Sequence, residues 1–271
     1  MPRRPYRADR AGAGPWRCGR LVGLTTDHGP LTGDQLRRYE DDGFLVLEHL
    51  VAADTVEELR SAYDQILDRE VDAAGDRMLG GITRQVMLPS AAHPAFDRNE
   101  ALAAGTAIAR QVFADDAVRT FDMLIFKPPG HPHETPWHQD MSYVGRPVAP
   151  PGERIPLRTI QFWVALDDVD VENGCMHFVP GLQKDPLLEH HVASGDPEDE
   201  GRLLALVNPG TQLDLGTAVA APLAAGGATM HSYGTPHYTP PNRSATRGRR
   251  AYIFNLASRS ELARRSHRDD G

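Results

Sequence analysis

The run TPWHQDMSYVG, residues 135–145, carries the sharpest local pattern in this chain. In a β-strand, residues two apart point to the same face, so a strand here aims the His138 imidazole and the Asp140 carboxylate at one point. Two histidines and one carboxylate are the facial donor set of non-haem Fe(II) oxygenases, which leaves three metal positions open. The tripeptide alone is equally satisfied by a histidine hydrogen-bonded to a carboxylate. A third donor must therefore come from a distant strand, and a dicarboxylate cosubstrate would need a cation deep in the same pocket.

Residues 231–255, HSYGTPHYTPPNRSATRGRRAYIFN, have the composition for both. They hold His231 and His237, then Arg243, Arg247, Arg249 and Arg250 leading into a strand-like run. Arginine suits the second task because its planar fork binds a carboxylate through two parallel hydrogen bonds and stays charged.

Composition narrows the field. The chain has 271 residues, 40% hydrophobic and 24% charged, a globular balance with ample length for a buried core. Its 29 basic and 37 acidic residues give a formal charge of −8, which argues against nucleic acid as a partner. No apolar run is long enough to cross a membrane, and the Arg-rich start is not followed by a secretory apolar core, so a cytoplasmic protein is expected. Cys18 and Cys175 are too few for a disulfide framework or a thiolate metal site. Any metal falls to carboxylates and the 12 histidines.

Along the chain, residues 1–29 read as a flexible lead-in, 30–260 as a single domain and 261–271 as a tail. Thr32 followed by Gln35 is a capping-box start for a helix that Gly43 ends, and Phe44 to Leu47 is a strand candidate. Helical spacing covers Asp54 to about Glu70, and a further helix Asn99 to Phe113. From Thr120 the texture becomes short β-prone runs: Phe121 to Phe126, Thr159 to Leu166, Met176 to Val179, Gly227 to His231 and Ala251 to Leu256. Such a series points to a sandwich or barrel with helices outside it. The acidic stretch Asp185 to Glu200 reads as a solvated loop or as a lid over the site, and His190-His191 within it as solvated.

The chain resembles the phytanoyl-CoA dioxygenase family of Fe(II)/2-oxoglutarate oxygenases from Leu31 to about Leu256. LTGDQLRRYEDDGFLVL, MLIFKPP, WHQD, FWVALDDV, ENGCMHFVPGLQK and HYTPPNRS followed by RRA occur in the family's order. The resemblance implies a mainly β fold with flanking helices (α+β), a double-stranded β-helix (jelly roll, cupin-like barrel) with N-terminal helices packed outside. It implies His138, Asp140 and His237 as ligands of Fe(II), and 2-oxoglutarate and O2 as cosubstrates. Arg249 would bind the distal carboxylate of 2-oxoglutarate with help from the Thr239 hydroxyl. Met123 and Trp163 match pocket-lining positions, and Lys127 matches a family lysine of structural or substrate-facing role. The partner would be a small-molecule substrate, and the oligomeric state is open.

Two alternatives stay open at this level. His237 and Arg249 are one residue further apart than the family's usual spacing, which requires a bulge or insertion around Thr246 to Gly248 and keeps Arg247 as a rival anchor. His231 stands as far before Arg243 as His237 does before Arg249, so it rivals His237 as ligand. His131 and His133 resemble a cupin HxH, but Gly130 and Glu134 abut it, whereas a cupin separates them. Substrate-facing candidates are Gly80 to Gln85, Met141 to Arg146 and the acidic stretch; the competing class is a non-catalytic jelly-roll binding protein, or an acyl-CoA hydroxylase among enzymes. Family members that halogenate carry a small residue where Asp140 stands, so its retention implies hydroxylation, ring closure or desaturation, with 2-oxoglutarate converted to succinate, in the tailoring of a secondary metabolite. Asp140→Ala is expected to abolish turnover; substantial 2-oxoglutarate-dependent product from that variant would overturn the ligand assignment.

Overall fold

The computed structural model describes residues 30–79, 83–143, 158–195 and 203–263. The expected lead-in and the tail beyond residue 263 lie outside the described residues. Local sequence defines the first helix, α1 (Gly33–Asp42), at both ends. The Thr32 hydroxyl accepts from the Gln35 N–H and the Gln35 carboxamide accepts from the Thr32 N–H, so two otherwise orphaned donors are satisfied. Gly43 closes the helix at φ 82°, and a Cβ there would lie 2.6 Å from Thr235 Oγ1 and 2.7 Å from Gln183 Cβ. Glycine alone meets both the backbone and the space requirement.

Helix α2 (Ala53–Leu67) stops short of the expected Glu70, since Arg69 turns to φ 61°. The single-turn helices α3 (Pro89–Ala92) and α4 (Pro94–Asp97) lead to α5 (Glu100–Phe113), capped by Asn99 accepting from the Leu102 N–H at 2.9 Å.

The strands, in chain order, begin with β1 (Phe44–Leu47), β2 (Asp76–Leu79), β3 (Thr83–Met87), β4 (Ala117–Lys127), β5 (Thr135–His138) and β6 (Thr159–Ala165). There follow β7 (Met176–Phe178), β8 (His190–Val192), β9 (Leu204–Leu206), β10 (Val219–Ala221), β11 (Ala228–Ser232), β12 (His237–Thr239) and β13 (Arg249–Ser258). Seven form a sheet in the order β1-β11-β6-β13-β4-β3-β2 and four a second sheet, β10-β7-β12-β5, while β8 and β9 pair by themselves. Successive strands alternate between the larger and smaller sheets from β4 to β7 and again from β10 to β13.

The pleat sorts the core into two layers. On β6 and β13, Ile160, Phe162, Val164, Tyr252, Phe254 and Leu256 face the helices and join Leu59, Tyr63 and Ile108. Their neighbours Trp163, Ala165, Ala251 and Ile253 face the smaller sheet, where they meet Met176, Phe178 and Ala221. Both faces of the central strands are buried, which is why they read as near-continuous apolar runs rather than alternating ones. The Phe44 and Phe178 rings stack at 4.4 Å across the inter-sheet gap.

Hydrogen-bonded neighbours stay within each sheet among the described residues, so the sheets meet through side chains and the expected closed barrel is an open two-sheet packing. Several strands had no expectation: β2 and β3, and the three-residue β8, β9, β10 and β12, too short for a period-two pattern. Gly105 of α5 lets the helix approach the Phe254 ring so closely that a Cβ would lie 2.7 Å from two ring carbons. Phe254, fully buried and stacked on Phe162, is accordingly a keystone of the helix-facing layer. Phe254→Ala is expected to cost about 3–5 kcal/mol in urea unfolding, without a compensating collapse of the rigid sheet.

Candidate metal centre

Strands β5 and β12 are antiparallel neighbours, and His138 and His237 are direct partners in their register. Facing residues of such a pair project to the same side, and the two imidazole centroids lie 4.1 Å apart. Each ring is fixed by its Nδ1: His138 Nδ1 lies 2.8 Å from the Pro136 carbonyl and His237 Nδ1 3.0 Å from the Thr235 carbonyl. A carbonyl only accepts, so Nδ1 carries the proton and Nε2 presents its lone pair to the inter-sheet space. Burial, and then the neighbouring His138, hold the His237 pKa well below the usual histidine value, keeping that lone pair free.

Asp140 joins them from outside the strand. β5 ends at His138, and Asp140 is the first residue of a 3-10 turn, Asp140–Tyr143, whose Met141 N–H donates to the Tyr233 carbonyl at 2.9 Å. The same-face strand argument for His138 and Asp140 is therefore corrected: they converge because the chain turns, not because of the pleat. Asp140 Oδ1 lies 3.6 Å from His138 Nε2 and 3.8 Å from His237 Nε2. One donor atom from each of His138, Asp140 and His237 falls within 4.8 Å of the others, and this is the only such group among the described residues.

Gln139, between the two ligand candidates, is fully buried and spends every polar group. Its Nε2 donates to the Gly234 carbonyl at 2.6 Å, its Oε1 accepts from the Leu188 N–H at 2.9 Å, and its own N–H donates to His190 Nε2 at 3.1 Å. The start of the acidic stretch is thereby bound to the metal loop. Its described part is not a solvated loop: His190 is half-buried, β8 pairs with β9, and the Leu204 N–H donates to the Tyr143 hydroxyl at 2.9 Å. His191 is exposed as expected, and residues 196–200 lie outside the described residues.

Arg249 opens β13 opposite Lys127. Its side chain is 1% exposed, its guanidinium carbon lies 5.2 Å from the Trp163 ring centroid, and its Nε has no hydrogen-bond partner among the described residues. Burial pushes its pKa down to about 10, which leaves it charged at neutral pH. Arg249, Thr239, Trp163 and Met123 border a recess of about 50 Å³ that also touches His138, Asp140 and His237. Arg247 points elsewhere and pairs with Asp170 and Glu172 at 2.8 and 2.7 Å. The loop 240–248 between the two strands is held by Asn242, whose Nδ2 donates to the carbonyls of Lys127, Pro128 and Arg247.

Lys127 is buried but does not border the recess. Its ammonium donates to the Thr239 carbonyl, Thr239 Oγ1 and the Pro240 carbonyl at 3.3, 2.9 and 2.9 Å, a role in holding the loop. His131 pairs with Thr83 Oγ1 at 3.0 Å, so the HxH pair is not part of the cluster. His231 is fully buried on β11, its ring 4.5 Å from that of His237, but it is not among the three clustered donors.

A larger cavity of about 500 Å³ opens beside His138 and Asp140. It reaches Gln85, Tyr143, Leu204 and Asn255 as well as Gln161, which touches both cavities. Gln85 and Tyr143 belong to segments expected to face substrate; 80–82 and 144–146 lie outside the described residues. Gln161 and Asn255 had no expectation, although Gln161 had a signal: a lone amide two residues before Trp163, hence on the same inward face of the apolar strand TIQFWVA.

Two histidines and a carboxylate gathered between antiparallel sheets, beside a buried Arg249 whose Nε has no partner among the described residues, form a donor cluster that could hold one metal ion. The phytanoyl-CoA dioxygenase (PhyH) family model matches residues 39–251, and the chain belongs to that family. The peroxisomal phytanoyl-CoA dioxygenase of Rattus norvegicus is 29% identical over 188 residues, covering 64% of this chain and 54% of the rat protein. The chain thus spans about half the length of that relative. The structure of EvdO2 from Micromonospora carbonacea var. aurantiaca, complexed with 2-oxoglutarate, is 31% identical, covers 85% of this chain and 92% of that one, and superposes with a TM-score of 0.69. EctD from S. alaskensis, solved with 2-oxoglutarate and 5-hydroxyectoine, shares the fold at 19% identity, covering 94% of this chain and 87% of its own with a TM-score of 0.68. No helix among the described residues is long and apolar enough to cross a membrane. Lys127→Met is expected to destabilise the chain by about 1–3 kcal/mol in urea unfolding, since it strands buried carbonyl oxygens.

Proposed function

We propose that this chain is a non-haem Fe(II)/2-oxoglutarate-dependent dioxygenase that hydroxylates or otherwise oxidatively tailors a small molecule, a secondary metabolite rather than an acyl-CoA. The observation that carries the reading is the pairing of two rung-partner imidazoles, whose Nε2 lone pairs lie beside one carboxylate, with Arg249, whose Nε has no partner among the described residues, bordering the same recess. The donor set fits Fe(II) in kind, and a buried Arg Nε without a partner fits a ligand that brings its own acceptor. The alternation of strands between the sheets supports a double-stranded β-helix as the scaffold.

On this reading His138, Asp140 and His237 hold the metal. Arg249 binds the distal carboxylate of 2-oxoglutarate, and the Thr239 hydroxyl, accepting from Lys127, can donate its own proton to the same carboxylate. Trp163 backs the guanidinium and keeps water from it. Fe(II) bound at the triad, with 2-oxoglutarate and O2, would supply the oxidising power, and 2-oxoglutarate would leave as succinate and CO2. The cavity of about 500 Å³ positions the substrate beside His138 and Asp140 through largely apolar walls with Gln85 and Asn255 as polar contacts. Among its described lining residues Arg77 is the one with a guanidinium or ammonium group, too little for the phosphates of a coenzyme A ester. Likeness to EvdO2 with 2-oxoglutarate bound supports the cosubstrate.

Anaerobic addition of Fe(II) and 2-oxoglutarate is expected to produce a visible charge-transfer absorption, and aerobic incubation with a small-molecule panel, substrate-stimulated succinate. Arg249→Met should weaken 2-oxoglutarate binding by about tenfold or more, as loss of a charge-assisted pair does, while Arg247→Ala leaves it within about twofold. No absorption with the unaltered chain, or the reverse order of the two arginine variants, overturns the reading.

A further inference from the structure

His138 and His237 are aimed by the ladder they share, but Asp140 lies beyond the end of β5, where no pleat directs its side chain. What directs it comes from the opposite sheet. Gln161 on β6 and His231 on β11 are themselves register partners, and both reach Asp140 Oδ2. Gln161 Nε2 donates to it at 2.6 Å and His231 Nε2 stands 3.3 Å away. Oδ1 is left facing the two ligand histidines.

We propose that Gln161 and His231 are positioning residues that clamp Oδ2, so that Asp140 presents the single oxygen Oδ1 to the metal and leaves the remaining metal positions to cosubstrate and O2. The proposal rests on the metal-site reading above. A free carboxylate binds a metal through one oxygen or both, and two-oxygen chelation would occupy a position the chemistry needs. Gln161 is 4% exposed and His231 0%, so both contacts are made inside the protein. The amide of Gln161 is neutral, so it orients the ligand without cancelling the charge that attracts the metal. His231 makes no hydrogen bond of regular geometry among the described residues, and apposition to Oδ2 is the polar contact that accounts for a histidine buried there. The residue that rivals His237 in the sequence thus acts on the carboxylate and not on the metal.

The test is Gln161→Met, which keeps length and volume and removes the donor. Co(II) titration of the metal-free chain, followed by calorimetry and by the visible Co(II) spectrum, reads both affinity and coordination, with melting of the metal-free chain as the fold control. The clamp predicts a dissociation constant raised by about 10–100-fold and a shifted spectrum. His231→Phe, which keeps the ring volume and loses the N–H, should move both readouts in the same direction and serves if Gln161→Met fails to fold. Wild-type affinity and spectrum in a folded variant overturn the clamp alone. Failure of the unaltered chain to bind Co(II) overturns the metal-site reading and the clamp with it.

Discussion

The rest of the site depends on one rung of an antiparallel ladder. His138 and His237 face each other across β5 and β12, and backbone hydrogen bonds hold them at a separation that a metal can bridge. Their Nδ1 atoms are occupied by carbonyls two residues back in the chain, so ring orientation and protonation are decided by the backbone itself. A donor pair set this way needs no induced fit. The cost is placed elsewhere, in Asp140 and Arg249, which are buried charged groups that the strand geometry alone does not satisfy.

The two sheets divide the work. The smaller one supplies the rigid imidazole pair, and the larger one supplies what surrounds it: Arg249 from β13, Trp163 and Gln161 from β6, and His231 from β11. Because β6 and β13 are buried on both faces, their inward residues cannot shift without disturbing Phe162 and Phe254 against the helices. Gln139 ties a third element to this frame, joining the 3-10 turn, the loop at Gly234 and the segment at Leu188 through one carboxamide and one backbone N–H.

Much of this was legible in the sequence where a local rule acts alone. The Thr32 to Gln35 capping box, the Gly43 stop and the long strands β4, β6 and β13 follow from capping, backbone freedom and apolar runs. The ligand candidates were legible as well, since His138, Asp140, His237 and Arg249 do come together. What escaped was decided by tertiary context. The choice between Arg247 and Arg249 turns on which side chain finds Asp170 and Glu172 at the surface, two residues more than seventy positions away. Gln161 and His231 matter through a cross-strand register that no single-strand pattern displays. That the barrel is not closed, and that the described start of the acidic stretch is tied to Gln139, escaped for the same reason: inter-sheet packing and the contacts of Gln139 are long-range facts.

Lys127 and Arg249 are partners on adjacent strands, so the fold buries two cationic side chains next to each other. Burial, and then the charge of Arg249, pull the lysine well below its ordinary pKa, which marks the pair as mutually repulsive. Acceptors surround the lysine, whereas Arg249 Nε has none among the described residues. An anion lodging against Arg249 would relieve that repulsion and raise the stability of the larger sheet, so under the proposed function the cosubstrate would also be the counterion that completes the architecture.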